Sequence, residues 1–311
     1  MADAPLSKST DHLGARTEHV NYITEIQQMM HGFGDCSEPL VESARIIEDM
    51  VLRQMRSIVQ EACKIADRRG SSMVDIEDFI FLLRRDKVKM HRLLKYLDLK
   101  ELKSSMYKVA NSDMSVVLPD VKHIDELNRT KRPWEIYLEG LDITGELCDD
   151  KLEVDHVKHS RRVRAEVVSK NLDEAQYIQY SKARNVSFVN RHRHKFSDWV
   201  VPDGDVIVSK QGYVILSYLA YETVAQIIDL AFLIRENQNK IYSDAVDRMN
   251  LNHCNPHTFK PYHHLKISMT KQISPSEINE ALRRYLSPQL EVTGPFRRWS
   301  LRQPHLPFLT S

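Results

Sequence analysis

The apolar positions between Leu40 and Tyr96 predict one long helix with shorter helices around it. Ala44, Ile47, Val51, Met55, Ile58, Ala62 and Ile65 recur three or four apart, the spacing that lines one helix face. Val41, Leu52, Val59 and Ala66 widen that face. A helix of about 28 residues is about 40 Å long, longer than a small domain is wide, so other helices must cross it. Upstream, Tyr22–Phe33 reads as a short helix with Ile23, Ile26, Met29 and Met30 on one side, ended by Gly32, Gly34 and Pro39. Gly70 stops the long helix, since glycine accepts the left-handed conformation there. Ser71–Val74 is β-compatible. Asp75 and Asp78 form a capping-box-like pair ahead of a short helix that faces inward with Ile76, Phe79, Ile80 and Leu83. Lys87–Leu97 continues as a further helix, with Val88, Leu93, Leu94 and Leu97 inside and Lys87, Lys89, Arg92 and Lys95 outside.

Short helix, loop, long helix, loop, short helix is the histone-fold order. One copy exposes most of its apolar face and requires a second to cross it. The second lies downstream. Gln211–Arg235 predicts another long helix, more apolar than the first, preceded by a β-like Val206–Val208. Residues Leu172–Asn190 read as a helix with Ala175, Ile178 and Tyr177 or Tyr180 inward, followed by a basic run that ends in aromatics. Asp75–Arg85 aligns without gaps with Ser274–Arg284. Each has an N-cap residue (Asp75, Ser274), an acid three residues on (Asp78, Glu277), an apolar residue next (Phe79, Ile278), then a leucine and paired arginines. Pro275 sits at the first helical position, where its missing N–H costs nothing. The repeat predicts an all-α chain in which two histone folds pair intramolecularly as a heterodimer-like module. The expected organisation is a disordered N-terminus over 1–20, a first histone fold with an extra helix over 21–105, and a charged linker over 106–170. A second histone fold follows over 171–290, with an insertion at 237–272, and then a tail over 291–311. Within the linker, Trp134–Leu147 is the strongest helix candidate, and Lys151–Val168, which alternates in charge sign, reads as a solvated helix.

The 311 residues are 42% hydrophobic and 28% charged, as expected of a soluble globular protein with a sizeable core. A net charge of +1, from 44 basic and 43 acidic residues, argues against a protein that wraps nucleic acid by neutralising it. Cys36, Cys63, Cys148 and Cys254 stand far apart without a CxxC pair, which suits a reducing compartment. The N-terminal residues contain no apolar run of the secretory type, and Tyr213–Ile234 carries Glu222, Gln226 and Asp229 at mid-span, which argues against a membrane helix. The expected setting is therefore intracellular.

Five stretches carry a family resemblance: Phe79–Leu97, Leu141–Cys148, Phe196–Val200, Leu216–Glu236 and Ile273–Tyr285. Together they resemble the double-histone-fold subunit family of the SAGA coactivator complex (suppressor-of-Ty member three), over about Tyr22 to Tyr285. The motif YLAYETVAQIID, Tyr218–Asp229, is the most specific, whereas LLRRDK…LLKYL is shared more widely among TFIID-type histone folds. The resemblance implies a nuclear, non-enzymatic subunit that holds or delivers the TATA-binding protein alongside other SAGA-type subunits. It implies no cofactor. The alternative from the residues is a DNA-binding histone-fold pair.

Glu222 and Asp229, seven residues apart, share one face of the second long helix. They read either as a solvent stripe or as an acidic edge for a basic partner. Arg191, Arg193 and Lys195 belong to a basic run that reads as a solvated loop or as a contact for phosphate or an acidic partner. Phe188, Phe196 and Trp199 beside it are expected in the core. Arg84–Lys89 is basic but diluted by Glu77, Asp78 and Asp86, and reads as a solvated face. His253, Cys254, His257, His263 and His264 follow no spacing of a structural zinc site, so no metal is expected. Catalysis is not expected either: no phosphate-binding glycine motif occurs, and the chain has only nine glycines.

Overall fold

The computed structural model describes residues 20–110, 133–143, 145, 147, 155–189, 193–202, 204–239 and 271–286. The first histone fold comprises α1 (Ile23–Gly32), α2 (Val41–Arg69), β1 (Met73–Val74), α3 (Ile76–Leu83) and α4 (Lys87–Ala110). Next come α5 (Pro133–Leu141), α6 (His156–Lys170) and α7 (Glu174–Arg184). The second fold comprises α8 (Arg193–Val200), β2 (Ile207–Val208), α9 (Lys210–Asn239) and α10 (Pro275–Leu286).

The two long helices α2 and α9 cross, and one continuous core runs through both folds. Ala44, Ile47, Val51, Met55, Ile58 and Ala62 are buried from the first stripe. Ile215, Leu216, Ala220, Val224, Ile227, Ile228 and Ile234 are buried from the second. Helix α9 is long and apolar enough to cross a membrane, yet those faces are spent in this core.

The seam between the folds is joined at both ends. At one, β1 and β2 pair in parallel, Met73 opposite Ile207 and Val74 opposite Val208. Ser209 then ties three parts together. Its N–H donates to the Val74 carbonyl at 2.9 Å and its Oγ donates to Asp75 at 2.6 Å, while Oγ also accepts the Gly212 N–H at 2.9 Å. Gly212 lets α9 approach this closely: a Cβ there would stand 2.8 Å from Val208 Cγ1 and 3.2 Å from the Phe79 ring. At the other end, the Ile273 N–H donates to Asp35 Oδ1 at 3.0 Å, Ser43 Oγ donates to the Ile273 carbonyl at 2.7 Å, and Gln272 Nε2 donates to the Glu38 carbonyl at 2.6 Å.

Four helices depart from the expected pattern. Helix α6 is solvated on one face only: its arginines Arg161 and Arg164 turn inward onto α9. On α7, Ala175, Tyr177 and Ile178 are exposed, because only the C-terminal end of that helix reaches α1. Tyr180 and Ala183 are buried there, with the Ala183 backbone close against Gly32 and the His31 ring edge-on to Tyr180. The basic run enters α8, whose Phe196 and Trp199 pack with Tyr22 and Phe188 in one aromatic cluster. Helix α4 runs on to Ala110, and Arg92, expected outside, is buried against Asp155. The expected disordered N-terminus, the histidine-rich insertion and the tail lie outside the described residues, apart from Val20, Lys271, Gln272 and the end of α9.

Candidate functional site

The duplicated segments place the same device in both folds. Asp75 caps α3, and the Asp78 carboxylate accepts the Asp75 N–H at 2.8 Å in return. Ser274 and Glu277 repeat this at α10: the Ser274 N–H donates to Glu277 at 2.7 Å, and the Glu277 N–H donates to Ser274 Oγ at 3.3 Å. In each fold an arginine from the end of the preceding long helix grips the buried acid through two hydrogen bonds. Arg69 reaches Asp78 at 3.1 and 2.8 Å, and Arg235 reaches Glu277 at 2.7 and 2.9 Å. Burial would push the Glu277 carboxyl up; Arg235 outweighs it and holds the group below the usual carboxylate range. These bidentate pairs fix the angle between long and short helix in each half.

The acids on α9 form a second cluster. Asp229 and Glu222 do not present an open edge, because α6 lies over them. Arg161 Nε donates to Asp229 at 2.6 Å and its Nη1 donates to Glu222 at 2.8 Å, while Arg164 donates to the other Asp229 oxygen. Arg92 extends the cluster, 3.9 Å from Glu222 and hydrogen-bonded to Asp155, which also caps α6. The five side chains named on α4, α6 and α9 are between 9% and 18% exposed. Burial alone would raise the Asp229 carboxyl and lower the Arg161 guanidinium. Their mutual attraction reverses both, so Asp229 is held below the usual carboxylate range and Arg161 above the usual arginine value. Tyr218, stacked on Tyr96 at 4.5 Å, has its phenol pushed well up by burial and then by Glu222. The cluster therefore joins three segments, α4, α6 and α9, with charge-assisted bonds that solvent barely screens.

Among the basic candidates, Lys195 pairs with Glu25 at 2.7 Å and lies 4.4 Å over the Tyr22 ring. Its neighbour Arg193 begins α8, and Arg191 lies outside the described residues. The structure does not bring Lys195 to the α9 acids. The zinc-like histidines and Cys254 are also outside the described residues. Among the described residues no group of three metal-ligating side chains occurs. In the α9 cluster the residues that the sequence did not single out are Arg161, Arg164 and Asp155. The available signal was the pair Glu222 and Asp229 within an apolar helix: buried carboxylates need cations, and the arginines of 161–164 stand three apart on one face.

Residues 20–112 match the family model described as transcription initiation factor IID, 18kD subunit. The SAGA complex subunit Spt3 of Drosophila melanogaster is 30% identical over 290 residues, covering 89% of this chain and 71% of the relative. The chain belongs to the Spt3 family. The Spt3 subunit of Schizosaccharomyces pombe agrees at 28% over 240 residues, 72% of this chain and 76% of its own. TFIID subunit 13 of Arabidopsis thaliana is 39% identical over 77 residues, a quarter of this chain and 60% of the relative. These relatives are named as subunits of transcription complexes, and this Spt3-family chain is a transcription coactivator subunit built on the histone fold. In this chain the duplicated clamps, Arg69–Asp78 and Arg235–Glu277, each tie a long helix to the short helix that follows it within one fold.

Proposed function

We propose that this chain acts in the nucleus as a non-enzymatic scaffold of a SAGA-type coactivator, where it binds the TATA-binding protein and delivers it to promoters. The reading is carried by the 290-residue similarity to a SAGA subunit, which runs across both folds. The chemistry supports it further through Glu222 and Asp229, two acids held on one face of α9 beneath α6. A basic partner surface would compete with Arg161 and Arg164 for these carboxylates. Arg191, Arg193 and Lys195, a basic run in the sequence, are the second candidate, for an acidic segment of another complex subunit.

Two variants that both loosen α6 separate binding from folding. Glu222→Lys removes an acid and puts a cation beside Arg92 and Arg161. Arg161→Met frees both acids while leaving them in place. Titrated with purified TATA-binding protein, the first weakens affinity about tenfold, roughly 1.4 kcal/mol, and the second strengthens it. Effects of the same sign would remove the α9 face from the interface. No micromolar binding by the wild-type chain would refute the partner. A gel shift with promoter DNA alone would favour the DNA-binding alternative.

A further inference from the structure

Among the described residues, the buried contacts of helix α4 lie in its first half. Met90 and Leu93 are buried, Arg92 joins the charged cluster, and Tyr96 stacks on Tyr218. From Asp98 to Tyr107 every side chain is exposed. Leu99, Leu102 and Met106 are 59%, 48% and 65% exposed. Steps of three and four put these three on one face of the helix, so they form a continuous stripe along about 10 Å, between Lys95 and Tyr107. The other exposed large apolar side chains are scattered in ones and twos over the remaining elements. A stripe of this kind on a protruding helix marks a contact surface.

Charge indicates what covers it. Lys95 and Lys103 stand four residues before and after Leu99, inside the stripe, and Tyr107 with Lys100 borders one side. Of the acids in this stretch, Asp98 borders the stripe beside Leu102 on the other side and Glu101 lies behind. A second copy of the chain would bring Lys95 and Lys103 against their own counterparts, with only Asp98 to offset them. A bare nucleic-acid duplex would use the lysines but leave the leucines and methionine in water.

We infer that this face of α4 docks an amphipathic helix of a partner protein whose apolar ridge is flanked by glutamate or aspartate. The contact is of the helix-on-helix kind, with leucine-type knobs meeting Leu99, Leu102 and Met106 and acids meeting Lys95 and Lys103. It is independent of the α9 face and of the TATA-binding protein.

The test uses the full chain and a labelled synthetic helix with leucines at a and d and glutamates at e and g. A second peptide replaces the glutamates with lysines. In fluorescence anisotropy the glutamate peptide binds at least tenfold tighter than the lysine peptide. Leu102→Glu with Met106→Glu lowers that binding at least tenfold. Lys95→Glu with Lys103→Glu reverses the preference between peptides. All four side chains are exposed, so both double variants melt with the wild type. Equal affinity for the two peptides, or binding to neither, would overturn the inference. So would co-sedimentation with anionic phosphatidylserine vesicles, or concentration-dependent self-association, if either is abolished by the same apolar substitutions.

Discussion

Replacing Asp229 with alanine removes the carboxylate that both Arg161 and Arg164 reach, and leaves two guanidinium groups only 14% and 11% exposed without it. Breaking a buried pair by deleting one partner costs about 3–5 kcal/mol, most of it from the uncompensated charge left behind. Arg161 keeps Glu222 at 2.8 Å, so the lower end of that range applies. The cost need not unfold the whole chain. Helix α6 can lift off α9 locally, returning its arginines to water, since only Val168 on it is fully buried. Hydrogen exchange of the α6 amides is therefore the appropriate assay. A loss of about 3 kcal/mol corresponds to roughly a hundredfold fall in protection across Arg161–Val168, with α2 and the first half of α9 unchanged. Substituting Arg164→Leu and Asp229→Leu together removes one charge and its counter-charge at once and leaves Arg161 on Glu222. It recovers most of the protection, because a well-packed apolar replacement of an ion cluster is close to neutral. Unchanged α6 protection in Asp229→Ala would refute the assignment of this cluster as the fastening of α6. A double variant no better than the single one would show that packing, not charge pairing, holds the helix.

Gly70 ends α2 at φ +79° with open space where a Cβ would go, so Gly70→Ala costs only the left-handed backbone strain, about 1–2 kcal/mol, readable as a lower urea midpoint. Gly212→Leu forces a side chain between Val208 and Phe79 at the seam, and lowers the melting temperature far more than the same change at exposed, open Gly140. Asp35 is buried with Oδ2 unpartnered, and burial pushes its carboxyl up despite the N–H groups of Cys36 and Ile273. A carboxyl raised in the folded state contributes most below the ordinary carboxylate range, and that contribution is lost as pH rises through its folded value. Relative to Asp35→Asn, the wild type thus gains stability as pH falls from 7 to 4; a pH-independent difference between their melting temperatures would refute this.

Periodicity made α2 and α9 legible, because a helix that divides its surface into core and solvent writes that division at steps of three and four. The capping pairs Asp75–Asp78 and Ser274–Glu277 were legible for a similar reason: both partners of each lie within one turn. The clamps that complete them were not. Arg69 lies nine residues from Asp78, but Arg235 lies 42 from Glu277, across the insertion, so their equivalence needs the fold. The inward face of α6 is not legible, because charge alternation looks the same whether its arginines meet water or the acids of a neighbouring helix. Helix α8 was hidden by its basic start, although Phe196, Trp199 and Val200 at its end supply the buried face. On α7, the apolar Ala175 and Ile178 suggested an inward face, yet the helix meets α1 only from Tyr180 onward, and sequence carries no record of where two helices stop touching.

The pairing of two histone folds within one chain is tested most directly by a cross-link at the β1–β2 seam. Met73 and Ile207 are register partners and both exposed, within the reach of a disulfide. In a background with the four native cysteines replaced by serine, Met73→Cys with Ile207→Cys should oxidise to a bridge inside a single chain, and the protein should elute with the 36.3 kDa mass of a monomer. Bridged chains at twice that mass would instead show that each fold takes its partner from a second molecule.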